Sequence, residues 1–572
     1  MTPLSRFTFR VRILLESPFL QTGLANAAYG YDEASLLDPD GKLIISGDQI
    51  EGFLRQVLEE ASLGEPDLMA WFGAAGGQIG QAGEPLACSR ARCKIFDLAG
   101  ATPDAEPRRA HRIAIDGDTG AVRPGAWQVI ALPALPGRRL EFSASGRLFA
   151  EDRREAEEFI ALANTAFGMI PSIGAMKSSG FGRVVDVVFD RLDTGVALAP
   201  SRAEGADLDA VAIRITSRYP LLVDVDLRSS NVLDGSEIIP GATIKGAIAD
   251  MLDLGGALAQ FGDLLSTITV RQGLPSQTGV RPRRAPLSLA FDGAEAIDVL
   301  ATEPVAVPRF SVDWKGAQAE RVAAAFYVPG NLERHVRTRS AIGPDNTPLE
   351  AQLFSSRAIA PKGVEWHSAF ILPEMADKDL RGKLGALVEC LEGNGFGIAA
   401  IGKSAAEARV ESGPELSFPP VEFETDGTAR ITLQSPAWLL ALDDLFDDAG
   451  RRRSLEQAYR RYFERSAEGC ELIDFAAAQS WAGGARAVGP RSQLTDGAYY
   501  PYLLTQAGSV FRVRGLTVPR AAAWVRNGMP AADERRTWRD CSFVPENGFG
   551  EVTMDLRDLR EIESMNRVSR PV

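Results

Sequence analysis

One phrase occurs twice in the chain, and this repetition constrains the fold more than any other feature of the sequence. Residues 44–58 read IISGDQIEGFLRQVL, and residues 238–252 read IIPGATIKGAIADML. In both, apolar residues lead into a turn at Gly47 or Gly241 and then recur at helical spacing. The repetition predicts two copies of one structural unit.

The length of the chain also indicates several hydrophobic cores. Its 572 residues exceed what a single core usually organises. We expect one copy in residues 1–200, a second in 205–415 and a third, divergent segment in 425–572. No apolar run approaches the roughly 18 residues of a membrane helix, and the N-terminal sequence alternates like a strand and not like a signal peptide.

Charge and cysteine content narrow the class of protein further. A net charge of −14 argues against binding nucleic acid over the whole surface but leaves room for a local basic groove. Basic residues cluster at 281–285, 333–339, 450–454 and 459–465, although any one cluster is ordinarily a solvated face. Five scattered cysteines fit reduced thiols in a cytoplasm, and Cys88 and Cys93 without a second pair favour ordinary loop thiols over a zinc site.

The two copies match beyond the repeated phrase. Asp32 and Asp226 each precede their turn glycine by fifteen residues, and each follows an apolar alternating run. His111 and His335 both stand beside arginine at the start of a predicted long β-hairpin. A helix and a closing loop come next, MKSSGFGRV at 176–184 in the first copy and IGKSAAEARVES at 401–412 in the second.

This order of elements predicts an α+β fold, with tandem ferredoxin-like (RRM-like) domains that carry inserted β-hairpins. The helix after Gly47 or Gly241 presents free N–H groups and a positive dipole end, which attracts phosphate. On its own such a helix end is usually structural.

Taken together, these motifs resemble the RAMP superfamily of CRISPR-Cas systems, in particular the guide-RNA-binding backbone subunits of type III effector complexes, with a III-D-like fused form. The resemblance is carried by IIPGATIKG and IISGDQIEG, by RIAIDGDTGAVRPGAW and by MKSSGFGRV. It covers most of residues 5–190 and, less cleanly, 210–412. A dinucleotide site is excluded because the glycine loop precedes a strand and not a helix.

The resemblance implies an RNA-binding surface and a cleavage site. In that family guide-RNA phosphates lie on the sheet and glycine loop, and the hairpin acts as a thumb that displaces a base. The family's cleaving subunits carry an aspartate in the loop that matches Asp32, and this aspartate is required for Mg²⁺-dependent cutting of the target RNA. The resemblance therefore makes Asp32 and Asp226 the candidate catalytic residues. The implied RNA contacts are Gly47, His111, Arg112, Lys177, Ser178, Ser179, Gly180, Phe181, Gly182, Arg183, Gly241, Thr243, Lys245, His335, Arg337, Lys403 and Arg409.

A single carboxylate suits this chemistry. RNA supplies its own nucleophile, the 2′-hydroxyl, so the site must hold the backbone in line and assist one proton transfer. A carboxylate can bind a divalent ion or its water for that purpose. The structural alternative for Asp32 is a turn residue that bonds its own backbone.

The third segment opens with another strand and Ser-Pro turn, and it closes on ENGFGEV. It resembles Csx-ten-like RAMP subunits, more weakly than the first two copies resemble their relatives. Arg512 and the rings of Tyr499, Tyr500, Tyr502 and Phe511 suit RNA, since arginine pairs with phosphate and rings stack on bases. A folded core would bury the same rings.

Three functions remain open from the sequence. The first is a guide-RNA-binding subunit that cleaves target RNA, working with crRNA, target RNA and the large, small and other RAMP subunits of an effector. The second is a scaffold or capping subunit that cuts nothing. The third is a guide-precursor-processing endoribonuclease with His111 or His335 as its acid or base.

Overall fold

The computed structural model describes most of the chain. The described residues are 2–21, 31–38, 40–61, 64–73, 91–104, 108–224, 226–229, 232–292, 295–301, 317–330, 332–342, 348–447, 449–483, 501–538 and 540–568. Their fold is α+β, with mostly antiparallel sheets. None of the helices in these ranges combines the length and apolar character needed to cross a bilayer.

The first module, residues 5–197, is built around one long strand. Its elements are β1 (Ser5–Glu16), β2 (Ile44–Ile45), α1 (Gly47–Glu60), α2 (Glu65–Phe72), β3 (Cys93–Ile95), β4 (Leu98–Ala99), β5 (Arg108–Ile115), β6 (Val122–Leu132), β7 (Arg139–Ala150), α3 (Arg153–Phe167), β8 (Arg183–Asp190) and β9 (Val196–Ala197). The alternation in β1 buries one face from Phe7 to Leu15 against α1 and α3. Strand β1 lies between β7 and β8, antiparallel to both.

The second module, residues 210–415, repeats this arrangement. Its elements are β10 (Ala210–Ser217), β11 (Asp226–Ser229), β12 (Val232–Asp234), α4 (Gly241–Leu254), α5 (Leu258–Thr267), β13 (Thr269–Val270), β14 (Leu274–Ser276), β15 (Leu289–Asp292), β16 (Glu295–Asp298), α6 (Ala317–Ala325), β17 (Arg334–Ile342), β18 (Pro348–Ile359), β19 (Glu365–Ile371), α7 (Lys378–Gly393), β20 (Ile398–Ile401) and β21 (Ala406–Glu415). Strand β10 lies between β19 and β21, as β1 lies between β7 and β8.

The third module, residues 429–568, has the same central pattern in shorter form. Its elements are β22 (Ala429–Leu433), β23 (Ala437–Leu440), α8 (Leu455–Ser466), β24 (Glu471–Ala476), β25 (Gln479–Gly483), β26 (Pro501–Thr505), β27 (Val510–Arg514), α9 (Val518–Asn527), β28 (Val552–Thr553) and α10 (Arg557–Val568). Strand β22 lies between β27 and the short β28. Its own hydrophobic core extends from Ala429 to Met554.

The two predicted hairpins form different structures. In the first module β5 and β6 make a two-stranded sheet of their own, which we call the thumb. In the second module β17 and β18 belong to a four-stranded sheet with β12 and β11. The first hairpin therefore projects alone, and the second is widened by neighbouring strands.

The closing loops use glycine in the same way in the first and third modules. A 3-10 turn precedes two left-handed glycines, Gly180 and Gly182 in one and Gly548 and Gly550 in the other, all with φ between 63° and 83°. Gly182 donates its N–H to the Pro18 carbonyl at 2.7 Å, and Gly550 donates to that of Pro436 at 2.9 Å. The similar sequences GFGRV and GFGEV therefore adopt the same local backbone structure.

The second closing segment differs from the expected loop. Residues 398–401 form β20, which pairs with β21, and a short turn joins the two strands. Lys403 in this turn donates its N–H to the Leu222 carbonyl, and in the first module Ala175 donates to Leu20. The backbone therefore matches Lys403 with Ala175 and not with Lys177.

The second module's closing segment packs on the first module. Arg147 of β7 is buried and donates to the backbone carbonyls of Ala399 and Ala405. Beside it, the rings of Phe96 and Tyr219 stack with centroids 3.6 Å apart.

The third module's closing loop packs on the second module in the same sense. A Cβ on Gly548 would overlap the backbone between Val270 and Gln272. Glu551, which follows this loop, pairs with Arg281 at 2.6 Å and Arg271 at 3.3 Å. Burial alone would raise the pKa of Glu551, but the two guanidinium groups hold it below its ordinary value.

The turn glycine of the repeated phrase supports a matched pair of substitutions. A Cβ at Gly47 would overlap the Ile95 carbonyl, whereas a Cβ at Gly52 in the same helix would meet nothing within 4 Å. We expect Gly47→Ala to lower the free energy of unfolding by about 3 kcal/mol and Gly52→Ala to raise it by about 0.5–1 kcal/mol. Urea unfolding of the full chain measures both, and equal effects would contradict this packing.

Candidate nucleic-acid interface

The thumb exposes an apolar face to solvent. Ile113 on β5 lies directly opposite Trp127 on β6, and His111 lies opposite Val129, so these side chains share one face of the ribbon. Trp127 is 63% exposed and Ile113 50% exposed, and Ile115 and Val122 are also exposed. Arg112 lies opposite Gln128 on the other face.

His111 and Trp127 interact with each other. Their rings stack at 22° with centroids 5.7 Å apart. The indole Nε1 donates to His111 Nδ1 at 3.2 Å. The imidazole therefore holds the indole in one orientation while leaving most of its surface in solvent.

Asp32 is fixed to the base of the thumb. Its backbone N–H donates to the Val129 carbonyl at 2.8 Å, and its Oδ2 accepts the Val129 N–H at 2.6 Å. The next residue, Glu33, forms a parallel bridge with Ile130. An exposed carboxylate is thus held two residues along β6 from Trp127.

The first closing loop lies beneath the thumb. Phe181, with Met176 and Ala175, packs on the cluster formed by Leu20, Ile130 and Leu132. Lys177, Ser178, Ser179, Gly180 and Arg183 are exposed on its outer side. The Lys177 ammonium lies 4.9 Å from the centroid of the Phe53 ring, and Arg183 pairs with Glu16.

The backbone of this loop is used by the fold itself. The N–H groups from Ser179 to Gly182 all donate to backbone carbonyls. Gly182 is buried, and a Cβ there would overlap the Ile173 carbonyl. Gly180 has φ 82° with open space around its Cα. The side chains of Lys177, Ser178 and Ser179 remain exposed to solvent.

The starts of α1 and α4 do not form the open phosphate sites expected from the repeated phrase. Gly47 is buried and donates to Asp97 Oδ1 at 3.1 Å. Gly241 is covered by the carbonyls of Val270 and Asn547, the latter from the third module. Thr243, on the first turn of α4, is half-buried.

Lys245 is fully buried where the second and third modules meet. Its ammonium donates to the Ile268 carbonyl at 2.8 Å and lies 5.1 Å from the centroid of the Trp538 ring. Burial lowers the pKa of Lys245 from 10.5 to about 8, although Glu546 acts in the opposite direction. An RNA contact by this side chain would require the two modules to separate.

The second hairpin rests on the first module. Arg337 pairs with Asp97 and lies 3.9 Å from Asp48. His335 is half-buried, and burial lowers its pKa against the opposing effect of Asp38 and Glu333. These two residues therefore lie at a contact between modules, whereas His111 is exposed on the free thumb.

A cavity of about 360 Å³ lies beside this contact. Lys94, Arg337, Lys403 and the stacked Tyr219 are among its lining residues. Lys403 is exposed, as is Arg409, which pairs with Glu411 at 3.4 Å.

Strand pairing gives Asp226 a different position from Asp32. The parallel bridge of Glu33 to Ile130 corresponds to the parallel pairing of β12 with β18, in which Leu233 lies opposite Ser356. The counterpart of Asp32 therefore falls in β12, and Asp226 lies on the neighbouring strand across from Asp234. Asp32 and Asp226 are equally far from their turn glycines along the chain, but they occupy different positions relative to the hairpin strands. The catalytic role of Asp226 stays a prediction.

Arg512 and the third module's aromatic residues are parts of the folded interior. Arg512 is buried and pairs with Glu424 at 2.7 Å and Asp426 at 3.0 Å. Tyr502 and Phe511 are buried, and Tyr499 and Tyr500 lie outside the described residues, as does Cys88. Arg512 therefore stabilises its own module and does not present its charge to a ligand.

The exposed apolar face of the thumb was not among the sequence-predicted contacts. The alternation in RIAIDGDTGAVRPGAW indicates strands, but the same alternation also describes a buried strand. Only the placement of the hairpin outside the main sheet shows that Trp127 and Ile113 face solvent.

No preformed metal cage is found among the described residues, since they contain no group of three or more histidine, cysteine, aspartate or glutamate residues able to hold an ion. Mg²⁺ often keeps several waters and is held by one or two carboxylates together with substrate phosphates. The exposed Asp32 carboxylate fits that second kind of site.

Comparison with known proteins gives matches at the level of structure only. The sequence matches no protein-family model and no curated protein. A chain of the type III-B Cmr-beta complex bound to cognate target RNA and AMPPnP aligns at a TM-score of 0.30 and 13% identity, covering 53% of this chain and 86% of that one. A chain of Cmr-beta bound to cognate target RNA aligns at a TM-score of 0.23 and 12% identity, over 33% of this chain and 60% of that one. Neither match assigns a role to a residue of this chain.

The buried ammonium gives a pH-dependent prediction. Between about pH 8 and 10.5 the unfolded chain keeps the Lys245 proton and the folded chain has lost it, so stability rises with pH in this window. We expect Lys245→Met to remove that rise and, at pH 7, to keep the free energy of unfolding within about 1 kcal/mol of the parent.

Urea unfolding across this pH range measures the effect. Lys362→Met, at a lysine that is 72% exposed, is the matched control and should keep the rise. A Lys245→Met protein with an unchanged pH profile would contradict the buried placement.

Proposed function

We propose that the chain is a guide-RNA-binding subunit of a type III CRISPR effector that cleaves complementary target RNA beside the thumb of its first module. In this proposal the three modules are ferredoxin-like RAMP domains in tandem. The observation that carries it is the attachment of the exposed Asp32 carboxylate to Val129, at the base of an exposed apolar ribbon and above the Lys177 loop.

The thumb suits the displacement of a base from a paired strand. Trp127 presents a broad ring held by His111, and Ile113 lies opposite it on the same face. Stacking of a base on an aromatic ring contributes about 1–3 kcal/mol. A ribbon with this face can therefore support a base that has left its partner.

Asp32 suits the cleavage of the backbone next to such a displaced base. Unstacking frees the sugar–phosphate to bring its 2′-hydroxyl in line with the phosphorus. The carboxylate accepts the Val129 N–H, the backbone N–H of Asp32 donates to the Val129 carbonyl, and the carboxylate can accept or relay one proton. A bound Mg²⁺ would supply charge neutralisation at the phosphate.

Guide phosphates would be met by the side chains of the first module. Lys177, Ser178, Ser179 and Arg183 are exposed on the closing loop, and Arg112 is exposed on the thumb. In the second module Lys403 and Arg409 are also exposed, at positions that differ from those of Lys177 and Arg183. The lysine and arginine side chains among them provide local positive charge on a chain that is acidic overall.

A guide-precursor-processing activity is the second candidate. His111 is exposed, and its Nδ1 accepts from Trp127, which leaves Nε2 to donate. A scaffold that binds the same RNA without cutting it is the remaining alternative. We place the protein in the cytoplasm with crRNA, target RNA and further effector subunits.

Asp32→Asn tests the cleavage proposal while keeping the local hydrogen bond, because the amide oxygen can still accept from Val129. We expect target cleavage with Mg²⁺ to fall about 100-fold or more and guide affinity to stay unchanged. Asp38→Asn is the matched control, since that carboxylate accepts the backbone N–H groups of Asp40 and Lys42 and closes a turn in the same loop.

Three outcomes separate the candidates. Cleavage lost in Asp32→Asn alone supports the proposal. Parent protein that binds guide and target but never cuts supports the scaffold. Cuts in a guide precursor without Mg²⁺ that are lost in His111→Ala support the processing enzyme.

Trp127→Ala tests the thumb. Loss of the ring removes about 1–3 kcal/mol of stacking, so we expect weaker binding of the guide–target duplex and slower cleavage. Trp481→Ala, at an indole that is 60% exposed on the third module, is the matched control. Equal effects of the two substitutions on duplex affinity would contradict a specific role for the thumb.

A further inference from the structure

An exposed cleft on the third module concentrates arginine. Its volume is about 500 Å³, and its lining residues are Asp447, Arg451, Arg452, Arg453, Gln457, Arg460, Arg461 and Glu464. Five arginines and two carboxylates give a local excess of positive charge on a chain whose net charge is −14. We call this the arginine cleft.

Part of this arginine has a structural role. Arg453 donates to the carbonyls of Phe446 and Asp443 and so supports the turn before α8. Arg451 pairs with Asp447 at 2.8 Å, and Arg460 pairs with Glu456 at 2.9 Å. These contacts fix three of the five side chains.

The other two arginines are not used in this way. Arg452 is exposed just before the Ser454 cap of α8, and Arg461 is exposed on the helix itself. In the part of the chain that the structure describes, neither side chain makes an ion pair. The fold therefore gives no reason for placing both guanidinium groups in one cleft.

The position of the cleft matches a covered face in the other modules. Helix α8 is the first long helix after the central strand, as α1 and α4 are in their modules. The start of α4 is covered by Asn547 of the third module, and Asp48 at the start of α1 is paired with Arg337 of the second. The corresponding region of α8 is open and basic instead.

We propose that the arginine cleft binds the sugar–phosphate backbone of a single-stranded RNA segment, independently of base pairing at the thumb. Guanidinium groups match phosphate oxygens in a bidentate geometry and are always charged. Phe446, 47% exposed next to Arg453, offers a ring for an unpaired base. The proposed function contributes only the choice of RNA over an acidic protein as the ligand.

The test measures the binding of the full chain to a short labelled oligouridylate by fluorescence anisotropy at a series of salt concentrations. Oligouridylate is chosen because it forms no duplex. A plot of log affinity against log salt concentration has a negative slope that grows with the number of phosphate contacts. If Arg452 and Arg461 each contact one phosphate, the slope for the Arg452→Ala/Arg461→Ala protein should be less steep than that of the parent by about 1.4. Arg452→Lys/Arg461→Lys should restore most of the slope.

The matched control is Arg153→Ala/Arg154→Ala on α3, which removes two exposed arginines of the first module. It should leave the slope unchanged, and circular dichroism shows whether each variant is folded. A parent protein that does not bind the oligouridylate, or an unchanged slope in the alanine variant, would overturn the inference and leave the cleft to an acidic protein surface.

This outcome is independent of the cleavage proposal. A less steep salt dependence in the Arg452→Ala/Arg461→Ala protein, together with cleavage that depends on Asp32, supports both proposals. The same change in salt dependence, in a protein whose parent never cuts target RNA, supports RNA binding by the arginine cleft alone.

Discussion

The contacts of the second and third closing segments with the module that precedes each of them determine how much of these segments meets solvent. The turn around Ala399 and Ala405 receives Arg147 of the first module, and Gly548 lies against the backbone of Val270 to Gln272 in the second. The first module's closing loop, in contrast, keeps the outer side that carries Lys177, Ser178 and Ser179 exposed to solvent. Its exposed lysine and serines and the thumb above it form the surface that we propose for RNA.

Several arginine side chains form ion pairs at these contacts between modules. Arg281 pairs with Glu551, Arg283 with Asp558, and Arg337 with Asp97. These residues belong to two basic clusters that the sequence alone would assign to a solvated face or a groove. A buried ion pair costs desolvation, and removal of one partner leaves an uncompensated charge, so such arginines hold module boundaries in one geometry. The basic charge left for ligands is correspondingly local.

Local structure could be predicted from the sequence because it depends on neighbouring residues. The alternation from Phe7 to Leu15 predicts a half-buried strand, and the turn at Gly47 followed by apolar residues at helical spacing predicts α1. The hairpins and the mixture of helix and strand follow from the same periodicity. The surroundings of Lys245 and Arg512 could not be predicted in this way, because their burial depends on packing between distant segments. For Asp226, spacing along the chain was a poor guide, since the register of β12 on β18 decides its position.

The most direct measurement of the central claim is cross-linking of RNA that carries 4-thiouridine to the intact chain, followed by mass spectrometry of the linked peptides. The account predicts cross-links in the thumb, residues 108–132, and in the exposed closing loop, residues 177–183, with none in the related but buried loop at 545–551. Cross-links at 545–551 without any at 177–183 would contradict the account.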